Sequence, residues 1–366
     1  MSKLYEPISV GSLEMGNRFV RSATAESLSD GEGRPLLELS KTYCALAEGG
    51  VGLIITGHAY VAGSGRCRVG MSGMHDESLI SPWQNVTAAV HEAGGKIAMQ
   101  INHGGRQCDP AAVGGPLLAP SPISLNADAP RPVELNERDI VGLIRAFADA
   151  AGRVREAGFD AVQIHGAHGY LINTFNSPAS NWRRDAWGGS LSRRLRFLEE
   201  VAAAVRDVVG TDYPVLIKLG AVDFVRNGLT ENDGVEIIRH LADMGFDAVE
   251  ISGGIGQGST RAGILRSDQE GYFLPIARKA RYATDLPIIL VGGLRSRERM
   301  EQILDEGSAD MVSLCRPLIR EPDLPNRMRD GQERATCISC NQCRPREGEL
   351  GISCHYRGPD TSGESD

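Results

Sequence analysis

The sequence predicts an α/β protein, a TIM (β/α)8 barrel with a short C-terminal Cys-rich extension, on three observations. Four segments, which begin at Glu48, Glu156, Asp243 and Glu306, repeat one pattern of an acidic residue, a glycine and a short apolar run. Four further apolar runs precede or separate them, at 18–23, 96–102, 215–219 and 287–291. Amphipathic helical patterns fill the intervals. Eight strands that alternate with helices are typical of this barrel.

Each repeat has the character of a joint between a helix and a parallel strand. A glycine at the end of a helix adopts a left-handed conformation, and a strand that is apolar on both faces follows. Helices are predicted over 79–93, 137–157, 191–209, 231–244 and 297–306, with Asn136, Ser190, Thr230 and Ser296 as N-caps. A doubly wound open sheet usually has fewer strands and a glycine-rich first turn, which the stretch after Ala23 lacks.

Composition narrows the class of protein and its surroundings. The chain has 366 residues and a net charge of −8, with 41% hydrophobic and 23% charged residues. These values are ordinary for a soluble globular protein and argue against a nucleic-acid surface. The first residues lack the apolar core of a signal peptide, and no apolar run approaches the roughly 20 residues of a membrane span. We therefore expect a cytoplasmic protein without a membrane segment, with residues 1–325 as the barrel and 326–366 as the tail.

Active sites of such barrels lie at the carboxyl ends of the strands, so the residues there are the first candidates. Glycine pairs follow the sixth and seventh strands, at 253–254 and 292–293, and Arg316 follows the eighth. Bare backbone N–H groups and a guanidinium are the groups that bind phosphate oxygens. Tight turns explain any one glycine pair, whereas three consecutive strand ends of this kind predict a phosphate site.

The stretch IHGAHGYL at 164–171 crowds three polar rings, those of His165, His168 and Tyr170, at the end of the fourth strand. A single histidine at a strand end is as often structural, with its ring satisfied by a backbone group. Three polar rings within six residues favour an active site.

Several segments together resemble one known family. They are NRFVRSA at 17–23, GLIITG at 52–57, MQINHGGR at 99–106, and IHGAHGYLINTFNSPASNWRRDAWGGS at 164–190, together with the VGG and CRPLI segments near 291 and 315. The chain resembles the FMN-dependent old yellow enzyme family of ene-reductases, with its dienoyl-CoA reductase and trimethylamine dehydrogenase relatives. The resemblance runs from Tyr5 to about Arg320.

The resemblance implies a site for FMN across the barrel mouth. Its implied cofactor-binding residues are Ala23, Thr24, Ala25, His58, Gln100, Lys218, Gly254, Gly292, Gly293, Cys315 and Arg316. His165 and His168 resemble the pair that binds an electron-withdrawing oxygen of the substrate, and Tyr170 resembles the proton donor. The implied activity is hydride transfer from NAD(P)H, through FMN, to the C=C bond of an enone, enoate or enoyl thioester. Position 25 is alanine, where many members of the family carry Cys or Thr.

The tail carries four cysteines, Cys337, Cys340, Cys343 and Cys354, in the spacing C-x2-C-x2-C-x10-C. Three thiolates within seven residues and a distant fourth favour an iron–sulfur cluster, while structural zinc and unliganded thiols remain alternatives. The tail also resembles that of the dienoyl-CoA reductase and trimethylamine dehydrogenase branch, which implies a 4Fe-4S cluster.

Two routes for electrons therefore stay open. Those relatives continue into FAD and nucleotide-binding domains, and the only glycine-rich candidate here, at 253–258, lacks the GxGxxG spacing. Direct reduction by NAD(P)H is expected. The alternative is an FMN and iron–sulfur electron-transfer subunit that serves a partner protein. A hydrolase with His165 and His168 as metal ligands would need further ligands on the first strand, which RFVRSA lacks. The alternatives for the assembly of this chain are a homo-oligomer and binding of an electron-transfer partner protein.

Overall fold

The computed structural model of the protein describes residues 2–255, 269–346 and 349–356. Within these ranges eight parallel strands close into a barrel, which confirms the predicted fold. They are β1 (Phe19–Arg21), β2 (Leu53–Ile55), β3 (Ile97–Asn102), β4 (Ala161–Gly166), β5 (Val215–Gly220), β6 (Ala248–Ser252), β7 (Ile288–Val291) and β8 (Met311–Leu314). The barrel closes where β8 pairs with β1, with Val312 opposite Phe19.

A helix follows each of the first seven strands. These helices are α1 (Leu37–Glu48), α2 (Ile80–Glu92), α3 (Glu137–Glu156), α4 (Leu191–Val209), α5 (Glu231–His240), α6 (Leu274–Arg281) and α7 (Arg297–Asp305). Two short helices, α8 (Arg316–Arg320) and α9 (Leu324–Arg329), follow β8. Smaller elements are the helices Pro110–Val113 and Leu171–Asn176, and the strands Ile8–Val10, Leu13–Met15, Ala59–Tyr60, Leu118–Ala119 and Val133–Glu134. The expected boundary at 325 falls inside α9.

The helix ends agree with most of the predicted signals. Asn136 and Thr230 form capping boxes, and the side chain of Ser190 accepts a hydrogen bond from the backbone N–H of Arg193. Ser296 precedes α7 but caps nothing, because its hydroxyl donates instead to the carboxylate of Glu270 at 3.0 Å. Helix α5 ends at His240 rather than 244, since the next N–H, on Leu241, bonds only three residues back to Ile238.

The barrel interior is divided into an apolar and a polar part. One layer is apolar and includes Val20, Leu53, Ile55, Ala98, Ala161, Leu216, Ala248, Ile289 and Met311, against which the hairpin residues Val10, Leu13 and Met15 pack. Side chains two positions apart on a strand share a face. The next inward positions toward the carboxyl ends are polar: Ser22, Gln100, Gln163, Lys218, Glu250 and Ser313, all of them buried. We call these six residues the polar layer.

Outside the barrel, the tail lies against the loop that follows β7. The backbone N–H of Ala335 donates to the carbonyl of Arg295 at 2.9 Å, and Arg334 forms an isolated antiparallel β-bridge with Ser296. In the part of the chain that the structure describes, no helix combines the length and the apolar character required to traverse a membrane.

Candidate active site

Four polar rings converge at the mouth of the barrel. The ring of His165, on β4, has its centroid 5.1 Å from that of His168 and 4.9 Å from that of Tyr170. His58, which follows β2, lies 5.0 Å from Tyr170 and 5.9 Å from His165. His168 and Gly169 both adopt left-handed backbone conformations, with φ of 62° and 74°. This reversal turns the chain back, so that the phenol packs against the imidazole on the strand.

The site holds its rings in neutral form. Burial lowers the pKa of His58 and of His168 to about 3, and it holds the pKa of His165 well below the ordinary value. Nδ1 of His165 accepts the backbone N–H of Ala167 at 3.2 Å, so the neutral ring carries its proton on Nε2. Burial also raises the pKa of Tyr170, which keeps the phenol protonated. The mouth therefore offers neutral hydrogen-bond donors.

Three residues that the sequence analysis did not single out orient these rings. The hydroxyl of Ser252 lies 2.7 Å from Nε2 of His168. The amide of Asn102 lies 2.8 Å from Nδ1 of His58, and Arg68 reaches Nε2 of the same ring at 3.3 Å. Ser252 and Asn102 are the last residues of β6 and β3. Their position at strand ends was the available signal for a place at the mouth.

Beneath the rings, the polar layer forms one network centred on Glu250. The carboxylate accepts hydrogen bonds from Ser22 at 2.7 Å, Ser313 at 2.9 Å, Gln163 at 3.0 Å and Lys218 at 3.1 Å. Burial by itself raises the pKa of this carboxyl, but the charge of Lys218 and these hydrogen bonds outweigh it, so the pKa is lowered. The layer thus contains a buried ion pair.

The same network fixes an amide and an ammonium at the level where a planar cofactor would lie. Nε2 of Gln100 donates to Gln163 at 2.7 Å, and Lys218 also donates to Ser22 at 2.6 Å. An amide can pair with the pyrimidine edge of a flavin, and a cation beside that edge stabilises the negative charge that reduction places there. The donor set therefore fits the isoalloxazine ring of FMN.

A cavity of about 180 Å³ lies at the carboxyl ends of β7 and β8, and its lining includes Gly293, Cys315 and Arg316. Gly292 and Gly293 have φ of 141° and 73°. A Cβ at position 293 would come 2.8 Å from the carbonyl oxygen of Gln269, so a side chain there would collide with backbone. The combination of glycine backbone and guanidinium is suited to the phosphate of FMN.

The tail also lines this cavity, through Ser339 and Asn341. Arg316 donates to the side-chain oxygen of Asn341 at 2.6 Å, and Arg295 donates to the hydroxyl of Ser339. Arg295, Ser339 and Asn341 were missed in the sequence because the contacts join positions far apart in the chain. The tail therefore adds polar groups to the candidate phosphate site.

The expected metal centre in the tail is not supported. Burial and the nearby thiols of Cys337, Cys354 and Cys340 raise the pKa of Cys343 to about 11, so the four side chains lie near one another. Nevertheless, over residues 2–255, 269–346 and 349–356, no three His, Cys, Asp or Glu side chains are arranged to hold a metal ion. The sulfur of Cys354 instead accepts a hydrogen bond from Arg320 at 3.2 Å. The described residues fit neither an iron–sulfur cluster nor zinc.

The remaining predicted cofactor residues differ in their surroundings. The hydroxyl of Thr24, between Ala23 and Ala25, lies 3.1 Å from the sulfur of Cys315, which joins the end of β1 to the phosphate cavity. Ala25 and His58 line a smaller cavity together.

Gly254 is placed differently from the other predicted phosphate ligands. Its N–H donates to the carbonyl of Val222 at 2.7 Å, so the backbone already uses this group. The glycine-rich stretch at 253–258 lies outside the described residues from position 256 onward.

Two curated relatives have similar sequence identity to this chain but differ in length. The chain is 36% identical over 324 residues to an NADPH dehydrogenase of Geobacillus thermodenitrificans, with 88% of this chain and 92% of that protein covered. It is 35% identical over 336 residues to an NADH oxidase of Thermoanaerobacter brockii, with 91% of this chain and 52% of that protein covered. The chain thus spans about half the length of the latter relative.

Solved structures and a family model agree with these relatives. Morphinone reductase in complex with tetrahydroNAD superposes with a TM-score of 0.76 at 27% identity, covering 90% of this chain and 91% of that one. A complex of 2-naphthoyl-CoA reductase with 2-naphthoyl-CoA gives 0.87 at 26% identity, covering 93% of this chain and 54% of that one. The model of the NADH:flavin oxidoreductase / NADH oxidase family matches residues 3–335. The chain therefore belongs to this family, which is of the old yellow enzyme type.

Proposed function

We propose that the protein is an FMN-dependent oxidoreductase that takes hydride from NAD(P)H and reduces the C=C bond of an electron-poor alkene. The substrate class is an enone, an enoate or an enoyl thioester. The observation that carries the proposal is the packing of the protonated phenol of Tyr170 against the neutral imidazole of His165, above the polar layer.

The chemistry assigned to the rings follows from their protonation. A bound FMN would supply the hydride that the β-carbon of the alkene accepts. Nε2–H of His165 donates to the carbonyl oxygen of the substrate and draws electron density away from the C=C bond. Tyr170 gives its proton to the α-carbon, so the alkene gains one hydride and one proton. A phenol suits this step because it is a neutral donor.

Ser252 decides whether His168 can assist. Its hydroxyl lies 2.7 Å from Nε2 of the ring. If the hydroxyl donates, Nε2 is the acceptor and the neutral ring carries its proton on Nδ1, which becomes a second donor for the substrate oxygen. We assign this tautomer, because the opposite one would leave only an acceptor facing the oxygen.

NAD(P)H is the proposed reductant of FMN at the same mouth. The names of the relatives, NADH oxidase and NADPH dehydrogenase, support a nicotinamide donor without selecting between the two forms. The complex of morphinone reductase with tetrahydroNAD supports binding of a nicotinamide in a barrel of this type.

The test is anaerobic NADPH oxidation by the FMN-loaded protein with cyclohexenone as acceptor. Tyr170→Phe should leave reduction of the flavin by NADPH intact and slow reoxidation by cyclohexenone by about 100-fold or more. Tyr213→Phe is the matched control, because it removes the hydroxyl of another partly buried tyrosine, which donates to the carbonyl of Phe159 at 2.8 Å. Equal reoxidation rates in Tyr170→Phe and the wild-type protein would refute the assigned proton donor.

This proposal differs from the alternative expected from the sequence, an FMN and iron–sulfur electron-transfer subunit, because no three His, Cys, Asp or Glu side chains of the described residues are arranged to hold a metal ion. Iron and sulfide analysis of protein purified without oxygen decides between the two. Four irons per chain, together with flavin that NADPH reduces without turnover of cyclohexenone, would favour the electron-transfer subunit.

A further inference from the structure

Two buried cysteines lie side by side next to Tyr170, outside the tail. Cys67 is in the loop after the short strand Ala59–Tyr60, and Cys108 is in the loop after β3. Each thiol donates to a backbone carbonyl, Cys67 to that of Gly65 at 3.8 Å and Cys108 to that of Ser64 at 3.7 Å. The Cys67 side chain together with burial raises the pKa of Cys108. The backbone joins the two loops, since the N–H of Asp109 donates to the carbonyl of Cys67 at 2.9 Å.

Gly104 lets the two sulfur atoms approach each other. A Cβ at this position would lie 2.4 Å from Sγ of Cys67 and 2.5 Å from Sγ of Cys108. Real Cβ atoms do not approach other heavy atoms so closely, so a side chain at 104 would push the thiols apart. The absence of a side chain here allows both sulfurs to occupy the same small volume.

The thiol pair belongs to a cluster of buried residues beside the candidate active site. Tyr170 packs against the cluster that contains Cys67 and Cys108, and both sulfurs add to the effect of burial in raising the pKa of the phenol. Arg68, the next residue after Cys67, contacts Nε2 of His58 at 3.3 Å. A change in the positions of the thiols therefore alters the cluster against which the phenol packs.

We propose that Cys67 and Cys108 form a redox-active dithiol, which hydrogen peroxide converts to a disulfide that displaces Tyr170 from its working position. The thiolate of one cysteine attacks one peroxide oxygen, the O–O bond breaks, and the other oxygen leaves as hydroxide and takes up a proton to become water, which leaves a sulfenic acid on that cysteine. The thiol of the other cysteine then displaces the sulfenic hydroxyl as water and forms the S–S bond. The two thiols lose two electrons and two protons in total, and one peroxide becomes two waters.

Either thiol can attack the peroxide while the other resolves the sulfenic acid, because both sulfurs lie beside the same glycine, Gly104. A disulfide holds the sulfurs about 2.05 Å apart, closer than two unbonded thiols. Bond formation therefore draws side chains of this cluster together, and the phenol that packs against the cluster moves with them.

The first experiment treats the reduced full-length protein with hydrogen peroxide and maps disulfides by mass spectrometry without reduction. We expect a peptide that links Cys67 to Cys108 and disappears after dithiothreitol. Cys108→Ser should instead leave a sulfenic acid on Cys67, which dimedone traps. Cys44→Ser is the matched control, since it removes a partly buried thiol of α1 and should leave the linked peptide unchanged.

The second measurement concerns the effect on Tyr170 and rests on the proposed function. Oxidised protein should turn over cyclohexenone about tenfold more slowly or worse, with recovery after dithiothreitol, and Cys108→Ser should not form the disulfide-inhibited state. Absence of the linked peptide in folded, peroxide-treated protein overturns the dithiol. Disulfide-linked protein that turns over cyclohexenone as fast as the dithiol form overturns the displacement of Tyr170. Lack of turnover in the reduced protein would count against the proposed function instead, because peptide mapping does not depend on activity.

Discussion

The substitution Glu250→Gln tests the polar layer most sharply, because it removes a charge and keeps the shape of the side chain. The side chain of Glu250 is 0% exposed and that of Lys218 is 5% exposed, with 3.1 Å between carboxylate and ammonium. Removal of one partner of a buried ion pair leaves the other charge without compensation and costs about 3–5 kcal/mol. We expect the free energy of unfolding to fall by that amount.

A double-mutant cycle separates the ion pair from the other contacts. Lys218→Met alone should also destabilise, because it leaves a buried carboxylate without its cation. The double variant Lys218→Met with Glu250→Gln should cost less than the sum of the two single changes, with a coupling energy of about 2 kcal/mol or more. Urea denaturation of flavin-free protein, followed by circular dichroism, measures all four free energies.

The matched control is an exposed pair of the same type. Arg196 and Glu200 lie four residues apart on α4 at 2.7 Å, with side chains 40% and 38% exposed. Glu200→Gln should cost no more than about 0.5 kcal/mol, since solvent screens surface pairs. A cost below about 1 kcal/mol for Glu250→Gln, or additive effects in its cycle, would refute the buried pair.

Three further predictions follow from other parts of the structure. Burial lowers the pKa of His168 from 6.5 to about 3, so between these pH values the unfolded chain binds a proton at this residue and the folded protein does not. The free energy of unfolding therefore falls by about 1.4 kcal/mol per pH unit from this histidine as the pH falls from 6.5 toward 3. Urea denaturation at several pH values should show that the free energy of unfolding of His168→Asn depends on pH less steeply by that amount. Arg316→Met should weaken FMN binding by about tenfold or more, as measured by flavin fluorescence titration, because it removes the guanidinium from the candidate phosphate cavity; unchanged affinity would place the phosphate elsewhere. Asn136→Ala should lower the free energy of unfolding by about 1 kcal/mol, since it removes the capping box of α3, and the same change at Asn126, which lies outside any helix, should have a smaller effect.

The barrel could be predicted because its signal is local and repeated. Each acidic-glycine-strand joint predicts a helix end and a parallel strand, and β4 and β6 lie where the segments beginning at Glu156 and Asp243 placed them. The pairing of His165 with Tyr170 could also be expected, since both follow from a single strand end. Ser296 shows the limit of local signals. Its sequence context is that of an N-cap, but its hydroxyl donates a hydrogen bond to Glu270, which lies in a distant loop.

The parts of the site that escaped prediction depend on contacts between distant positions. Glu250 lies in a strand whose apolar neighbours dominate its pattern. The pairing of β5 with β6 places Lys218 opposite it, and closure of the barrel brings Ser22 to the same carboxylate. The contact between Arg316 and Asn341 likewise depends on the path of the tail. The cysteine spacing predicted a metal centre that the described side chains do not form, because spacing fixes separation along the chain but not the direction of each thiol.

The central claim is that the polar layer and the cavity at β7 and β8 together bind one FMN, and titration of flavin-free protein with FMN tests it most directly. We predict that flavin fluorescence is quenched to an endpoint of one FMN per chain, and that anaerobic NADPH then bleaches the flavin absorbance. Riboflavin, which lacks the phosphate, should bind more weakly. Failure of the folded protein to take up FMN, or equal affinity for riboflavin and FMN, would contradict the claim.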